Sequence, residues 1–312
     1  MSNVQSQRIA FGETLVELID QNPRVLVLDG DLANSTKADI VAREYPEHFL
    51  EMGIAEQNMM GVAAGLAALG FIPFTSTFAA FSAKRDLDQV RVMVAQPKLH
   101  VIITGAYSGI QTGKTGKTHQ SVQDISIFRS MPNMTVIVPA DPMEVRKAMF
   151  TLVNGFEGPA YLRLTRDPFK TIFDESYQFE IGKAYVLREG TDITLIGTGE
   201  ESVRCMDAAE VLMDDGISAH ILHVPTIKPL DKQAIIEAAR HTGKIVTAED
   251  HTIIGGLGSA VAEVLSENEP TLMKRVGWQD VYGESAPNEA LLEKYGLTTR
   301  HIVLAAKQLL CK

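Results

Sequence analysis

Residues 58–83 read NMMGVAAGLAALGFIPFTSTFAAFSA and contain no charged side chain. Glycine and alanine are frequent in this stretch, and Pro73 and the polar run Thr75-Ser76-Thr77 interrupt its second half. A membrane-spanning helix needs about 20 mainly large apolar residues without such a break. The pattern instead predicts a buried helix, a turn and a buried strand, so no membrane association is expected.

Apolar runs on either side of this stretch alternate with helical patterns. They predict strands at 24–28, 71–74, 99–103 and 134–138, and helices at 6–21, 55–69, 79–96, 121–130 and 141–153. Unbroken apolar strands separated by helices are typical of a parallel sheet that is covered on both faces. The predicted fold class is therefore α/β.

A second pattern of the same kind begins near residue 190, after a weakly patterned stretch. It predicts strands at 193–196, 219–224, 244–247 and 273–277, and helices at 201–213, 231–241 and 256–266. A chain of 312 residues is long for one core and suits two α/β domains. We predict a first domain over 1–170, a linker over 171–189 and a smaller second domain over 190–312.

The composition excludes several classes of protein. Hydrophobic content of 45% and charged content of 22% are typical of a globular protein, and the net charge of −10 without a Lys/Arg block argues against nucleic-acid binding. Cys205 and Cys311 have neither the spacing of a disulfide framework nor that of metal ligands. The N-terminal MSNVQSQR has no apolar signal region, so we expect a cytoplasmic protein.

The segment 109–118, GIQTGKTGKT, contains Gly-Lys-Thr twice and looks like a phosphate-binding loop. A P-loop requires a glycine five positions before the glycine of its Gly-Lys pair, so that consecutive N–H groups surround the phosphates. Ser108 and Gln111 occupy those positions. The spacing therefore excludes a P-loop nucleotide hydrolase.

Residues 51–66 read EMGIAEQNMMGVAAGL, and Glu56 is the one charged residue between Ile54 and Gly70. A buried carboxylate needs a partner or a function, although Glu56 could also be an ordinary solvated charge on a helix. The segment resembles the cofactor-activating helix of the transketolase and deoxyxylulose-phosphate synthase family. The resemblance implies that Glu56 is catalytic and binds ring nitrogen N1′ of thiamine diphosphate.

Two further segments resemble the same family. Residues 75–81, TSTFAAF, are similar to its aromatic platform, which implies that Phe78 and Phe81 bind the cofactor, although phenylalanines at this spacing often only fill a core. Offset aromatic stacking adds roughly 0.5–1.5 kcal/mol beyond area burial. Residues 116–120, GKTHQ, are similar to the family's GPTHQ segment, which implies a catalytic, substrate-binding His119 instead of an ordinary loop histidine.

The resemblance also implies an aspartate near the cofactor, Asp31, and sugar-phosphate ligands at Arg8, Ser35 and Arg166. Segments 225–231, 249–258 and 282–289 resemble the family's third domain, so the resemblance covers nearly the whole chain. It implies a parallel-sheet pyrimidine-binding domain of the thiamine-diphosphate enzymes, followed by a smaller α/β transketolase C-terminal domain.

Two positions depart from the family pattern and bear on the substrate. Thr115 stands where the family commonly has an acidic residue four before the substrate histidine, and Tyr107 stands where transketolases often carry a phosphate-binding histidine. Both positions are expected to contact substrate. The departures imply an unusual acceptor sugar and weaker charge assistance at the phosphate.

The metal motif of the family is incomplete in this chain. Gly30-Asp31 precedes Asn58 at nearly the spacing of its Mg²⁺ ligands, but Leu32 replaces the second glycine and Asn58 lies in a helical pattern. We therefore predict no metal ligand here. By resemblance, an N-terminal diphosphate-binding subunit holds thiamine diphosphate and Mg²⁺ from the other side, in an α2β2 heterotetramer.

The activity implied is transfer of a two-carbon ketol unit from a ketose to an aldose, with phosphorylated sugars as substrates. Two related alternatives are a deoxyxylulose-phosphate-synthase-like enzyme and the β subunit of a 2-oxoacid dehydrogenase decarboxylase. A third is a non-catalytic subunit that only stabilises a partner. Retention of Glu56, Phe81 and His119 together argues against the third.

Overall fold

The computed structural model describes residues 4–311; Met1–Asn3 and Lys312, the outer ends of the two predicted domains, lie outside the described residues. The strands are β1 Val4–Gln5, β2 Val25–Asp29, β3 Phe49–Glu51, β4 Ile72–Phe78, β5 Ile102–Ala106, β6 Thr135–Ile137, β7 Ala160–Arg163, β8 Phe169–Lys170, β9 Tyr185–Arg188, β10 Ile193–Gly197, β11 Ala219–His223, β12 Thr226–Lys228, β13 Lys244–Thr252 and β14 Leu272–Trp278.

The α-helices are α1 Gln7–Gln21, α2 Ala33–Thr36, α3 Asp39–Glu44, α4 Glu56–Ala68, α5 Ala79–Ser82, α6 Leu87–Gln89, α7 Asp124–Ser130, α8 Pro142–Asn154, α9 Glu201–Asp214, α10 Lys232–Thr242, α11 Leu257–Asn268, α12 Asn288–Tyr295 and α13 Thr299–Leu310. Two 3₁₀ turns, Pro46–His48 and Gly113–Thr115, and a π-helix, Val90–Ala95, complete the order.

The first sheet has seven strands in the order β12-β6-β7-β5-β4-β2-β3. Its strands pair in parallel, except that β12 is antiparallel to β6. Side chains of β2 alternate between two cores: Val25 and Val27 pack with α1 and α8, and Leu26 and Leu28 pack with α4. This two-residue period on a sheet buried on both faces confirms the predicted α/β class.

The second sheet has five strands in the order β14-β13-β10-β11-β9. Only its edge strand β9 is antiparallel among these described strands. Helices α9 and α13 cover one face of the sheet, where Cys205 lies fully buried, and α10 and α11 pack on the other face. The second sheet is thus the smaller α/β unit that the sequence predicts.

The two sheets are in direct contact. Strand β12 follows β11 along the chain, yet it pairs with β6 of the first sheet. The buried carboxylate of Asp250 accepts a hydrogen bond from the backbone N–H of Ile110 at 3.1 Å, and Arg163 Nη2 donates to the Asp250 carbonyl at 2.8 Å. The boundary at 171–189 stays a prediction, and this stretch contains β9.

The helical stretch predicted over 79–96 is helical at both ends but interrupted. The structure has α5, α6 and the π-helix instead, because the chain turns at residues 83–86 to bury Asp86 and to bring Arg85 to Glu56. The strand predicted at 99–103 begins three residues later as β5. A turn with Lys98 at φ +58° precedes it. Within residues 4–311, no helix combines the length and apolarity needed to cross a bilayer.

Candidate active site

The loops that follow β2, β4 and β5 meet at one edge of the first sheet. These three strands are parallel neighbours, so their carboxyl ends lie side by side, where α/β sheets commonly bind ligands. A cleft of about 280 Å³ opens there. It is lined by Gly30, Asp31, Leu32, Ile54, Glu56, Phe81, Arg85, Thr118 and His119.

Glu56 is the first residue of α4, and its side chain is 5% exposed. A carboxylate at this position is favoured by the free N–H groups and the dipole of the helix. Its partner is Arg85, whose Nη1 donates a hydrogen bond to Glu56 Oε1. The alternative interpretation of Glu56 as an ordinary solvated charge on a helix is therefore wrong, because its carboxylate is buried and paired inside the cleft.

Arg85 is a site residue that was not predicted from the sequence. Its Cζ lies 3.7 Å from the centroid of the Phe81 ring, so one guanidinium contacts both the ring and the carboxylate of Glu56. A sequence signal for it exists: Lys84 and Arg85 are the first charged residues after the neutral stretch. Glu56 is an acid expected to be buried, so one of these first cations after the neutral stretch is the natural candidate for its partner.

An aromatic cluster forms the wall beside Glu56. The rings of Phe78 and Phe81 are stacked with centroids 5.7 Å apart, and Tyr107 stacks on Phe78 at 4.2 Å. His119 meets both phenylalanines edge-on, 6.0 Å from Phe78 and 5.4 Å from Phe81. Phe78 is buried, whereas Phe81 and His119 also line the cleft, so these two are the members that a ligand can reach.

A basic group lies on the other side of Phe78. Arg8 Nη1 donates to Tyr107 Oη at 3.2 Å, and its Nε donates to the carbonyl of Arg166 at 3.1 Å. The guanidinium carbons of Arg8 and Arg166 lie 4.9 and 5.3 Å from the centroid of the Tyr107 ring. Arg8 also donates to the carbonyl of Ser35. The structure thus brings together Arg8, Ser35, Tyr107 and Arg166.

The loop after β2 presents Asp31 to the cleft. Asp31 has φ +64°, and its N–H donates to Glu51 Oε1 at 3.0 Å. Behind it, the carboxylate of Asp29 accepts from the N–H of Leu32 at 2.6 Å and from Thr36 Oγ1 at 3.3 Å. Burial raises the pKa of Asp29 to about 6, against the lowering effect of these hydrogen bonds.

Thr115 is the predicted site residue that the described contacts leave apart from the others. It ends the 3₁₀ turn Gly113–Thr115, and its hydroxyl donates to the Thr112 carbonyl at 2.9 Å. Its side chain thus bonds within its own turn and is not among the residues that line the cleft. The next polar pair does reach the cleft, since Thr118 Oγ1 lies 2.8 Å from Nδ1 of His119.

Comparison with known proteins gives the same assignment along both halves of the chain. Residues 4–170 match the transketolase pyrimidine-binding domain, and residues 182–302 match the transketolase C-terminal domain. Over 301 residues the chain is 43% identical to the 6-deoxy-6-sulfo-D-fructose transketolase subunit of Clostridium sp. (strain MSTE9), and the match covers 96% of this chain and 93% of that relative.

Two further relatives align over almost their full lengths. One of the subunits of the apulose-4-phosphate transketolase of Phocaeicola vulgatus is 35% identical over 312 residues, covering 100% of this chain and 99% of its own. A solved structure of a split gene transketolase, described as an inactive β4 tetramer, is similar with a TM-score of 0.92 at 46% identity, covering 98% of both chains. The chain therefore belongs to the transketolase family, with a pyrimidine-binding domain followed by a C-terminal domain.

Proposed function

We propose that this chain is one subunit of a heteromeric transketolase, which moves a two-carbon ketol unit from a ketose to an aldose with thiamine diphosphate. One observation carries the proposal: Glu56, a buried acid at the start of α4, shares a cleft with Phe81 and His119. The family matches favour transketolase over the synthase-like and dehydrogenase alternatives.

The donor set of the cleft fits the aminopyrimidine end of the cofactor. A heteroaromatic ring needs an apolar face to lie against and polar groups at its edge, and the cleft offers the Phe81 ring and the Glu56 carboxyl group side by side. When bound, thiamine diphosphate supplies the electron sink that allows the bond beside the ketose carbonyl to break and re-form. Placement and proton transfer are left to the protein.

In this scheme Glu56 holds a proton at ring nitrogen N1′ and exchanges it during turnover. The side chain of Glu56 is buried in the cleft beside Phe81, so bulk water has little access to the carboxyl group. Arg85 lies against the Phe81 ring and donates to Oε1 of Glu56, so in this scheme it moves aside when the cofactor ring binds there. Asp31 borders the cleft near the same end and contributes to cofactor binding.

His119 serves the substrate. Its ring forms edge-to-face contacts with Phe78 and Phe81 and lies within hydrogen-bond distance of the Thr118 hydroxyl, so three neighbours restrict its orientation. With Thr118 on Nδ1, the Nε2 atom remains to hydrogen-bond a substrate hydroxyl or carbonyl. The imidazole can then assist proton transfer at the reacting carbons.

The basic group of Arg8, Ser35, Tyr107 and Arg166 binds the anionic end of the sugar. Thr115, on the turn before His119, is the proposed contact of the acceptor sugar. Two guanidinium groups on one tyrosine ring are well suited to a tetrahedral anion because Arg provides several fixed N–H donors. Phosphorylated sugars are the proposed substrates. A sulfonated sugar is the second candidate, since one relative is named for 6-deoxy-6-sulfo-D-fructose.

A diphosphate-binding N-terminal subunit completes the site and carries the Mg²⁺ ligands. Support comes from the outer face of α4, which continues from the cleft without a charge: a Cβ added at Gly65 would meet nothing within 4 Å, and Leu69 is 78% exposed. Nearby, Met93 is 42% exposed. An exposed apolar surface of this kind marks a protein interface. We place the complex, an α2β2 heterotetramer, in the cytoplasm.

The test is reconstitution. The chain is purified alone and together with a diphosphate-binding N-terminal transketolase subunit from the same organism, and ketol transfer is assayed with phosphorylated and sulfonated sugars. Activity is expected only for the pair, with thiamine diphosphate and Mg²⁺ present, and light scattering should give the mass of two copies of each chain. Full turnover by this chain alone would contradict the two-subunit site.

A further inference from the structure

Two histidines and a glutamate converge on the second domain, away from the cleft. Glu189 follows β9, His220 lies in β11, and His241 lies in the last turn of α10. Each offers one potential ligand atom, and these atoms all lie within 4.8 Å of one another. The imidazole rings of His220 and His241 have centroids 5.5 Å apart. Three separate elements of the fold thus bring metal-ligating groups to one point.

The hydrogen bonds fix where the lone pairs are. His241 Nε2 lies 2.8 Å from the carbonyl oxygen of Gly190, and because a carbonyl only accepts, Nε2 carries the hydrogen. Nδ1 of His241 is therefore the unprotonated nitrogen. Metal-binding histidines usually have this arrangement, in which the second ring nitrogen donates to a carbonyl and orients the ring.

His220 also has an unused nitrogen. The residue is 6% exposed, and its buried Nδ1 makes no hydrogen bond of acceptable geometry within residues 4–311, although Glu189 Oε2 lies 3.2 Å away. A buried polar atom without a partner is costly, and a cation beside it would remove that cost.

We infer that Glu189, His220 and His241 form a binding site for a zinc-type divalent cation. Two imidazoles and one carboxylate suit Zn²⁺, Co²⁺, Ni²⁺ or Cu²⁺, whereas Mg²⁺ prefers oxygen ligands. Three protein ligands leave the fourth tetrahedral position to water. The site is independent of the proposed ketol transfer, and its metal is of a different class from the Mg²⁺ assigned to the partner.

Such a cation would tie the β9–β10 loop to β11 and to the end of α10. Because the three ligands are brought together only by folding, binding favours the folded state and raises the melting temperature of the domain. The side chain of Glu189 is 80% exposed. Most of the affinity should therefore come from the two histidines, and the exposed carboxylate should contribute less.

The experiment uses the full chain without a histidine tag and with Cys311→Ser, which removes the exposed thiol as a competing ligand. After treatment with EDTA, Zn²⁺ is titrated by calorimetry, and Co²⁺ is followed by its visible absorption. One equivalent should bind with tetrahedral Co²⁺ bands, and Mg²⁺ should not compete. His220→Gln and His241→Gln should each weaken Zn²⁺ binding roughly 100-fold or more, and Glu189→Gln roughly 10-fold.

His301→Gln is the matched control, since His301 is a helical histidine whose Nδ1 already bonds to Thr298. This variant should keep full affinity, and circular dichroism checks that all variants fold. The inference is overturned if the folded, stripped protein binds no Zn²⁺. It is also overturned if binding survives both His220→Gln and His241→Gln but is lost in His119→Gln, which would assign the cation to the cleft.

Discussion

Arg85 donates a hydrogen bond to the buried carboxylate of Glu56 from a position 3.7 Å above the ring of Phe81. One side chain therefore occupies the two groups that the proposed cofactor needs. The contact satisfies a carboxylate that would otherwise lie unpaired in an apolar site. Because the guanidinium covers the face of Phe81 on which the cofactor ring would lie, we expect cofactor binding to displace Arg85.

Replacement of Arg85 should therefore strengthen cofactor binding. In the reconstituted pair, Arg85→Met is expected to lower the Kd for thiamine diphosphate about 10-fold, because a half-exposed cation–π contact and an ion pair together are worth on the order of 1–2 kcal/mol. Calorimetric titration measures the change. Arg91→Met, which removes an exposed pair with Asp88, is the control. Weaker binding by Arg85→Met would mean that Arg85 holds the cofactor.

Removal of the acid itself should affect turnover more than binding. Glu56→Gln keeps the shape and the hydrogen bond with Arg85 but cannot exchange a proton at N1′. We expect kcat of the pair to fall about 10²- to 10⁴-fold, the usual range for a general acid or base. Steady-state kinetics at saturating cofactor measures this, with the exposed Glu47→Gln as control. Near-normal turnover would refute the role of Glu56.

Phe81 should matter for affinity and not for the chemical step. Phe81→Ala removes the ring that faces the cleft, and loss of stacking and contact area should raise the cofactor Kd about 10- to 100-fold. At saturating cofactor, kcat should stay within a few-fold of wild type. Phe81→Leu restores apolar bulk without an aromatic face, so it separates stacking from burial. Unchanged Kd values in both variants would contradict the platform.

The sequence predicts those features that repeat locally. Alternating apolar runs give the strands and most helices. The motifs around Glu56 and His119 identify the transketolase family, a prediction that the family matches confirm. The neutral stretch around Glu56 also predicts its burial. These properties depend on residues that are close together in the sequence, so a local pattern is enough to predict them.

Other features depend on contacts between distant residues, and they were not predicted from the sequence. The stacking of Arg8 and Arg166 on Tyr107 joins residues 99 and 158 positions from Arg8, a relation that no local pattern records. Strand β12 follows β11 of the second sheet along the chain but pairs with β6 of the first sheet, and no pattern within a short stretch of sequence indicates this pairing. The helical pattern over 79–96 does not indicate the break after α5, because apolar residues continue on both sides of a turn that buries Asp86 and pairs Arg85 with Glu56.

The basic group around Tyr107 should favour phosphorylated sugars over neutral ones. Arg166→Gln is expected to raise KM for a phosphorylated acceptor about 10-fold or more, since charge-assisted hydrogen bonds contribute roughly 1.5–3 kcal/mol. KM for the corresponding neutral sugar should change little. The ratio of the two KM values is the measurement, and Arg43→Gln, on an exposed ion pair, is the control. An equal loss for both substrates would place the anionic group elsewhere.

The pH dependence of stability at Asp29 can be tested on this chain alone, without the proposed second subunit. The pKa of Asp29 is raised to about 6 by burial, whereas an aspartate in the unfolded chain has a pKa near 3.9. Between these values the folded state binds more protons, so the contribution of Asp29 to stability falls as pH rises from about 4 to about 6 and then levels off.

Asp29→Asn removes this dependence. The free energy of unfolding of wild type, minus that of the variant, should therefore decrease by roughly 3 kcal/mol at most between pH 4 and pH 7.5. Urea unfolding at a series of pH values measures the difference, with the exposed Asp88→Asn as control. A difference that grows with pH would mean that the hydrogen bonds from Leu32 and Thr36 outweigh burial, and that the loop carrying Asp31 is held by a charged Asp29.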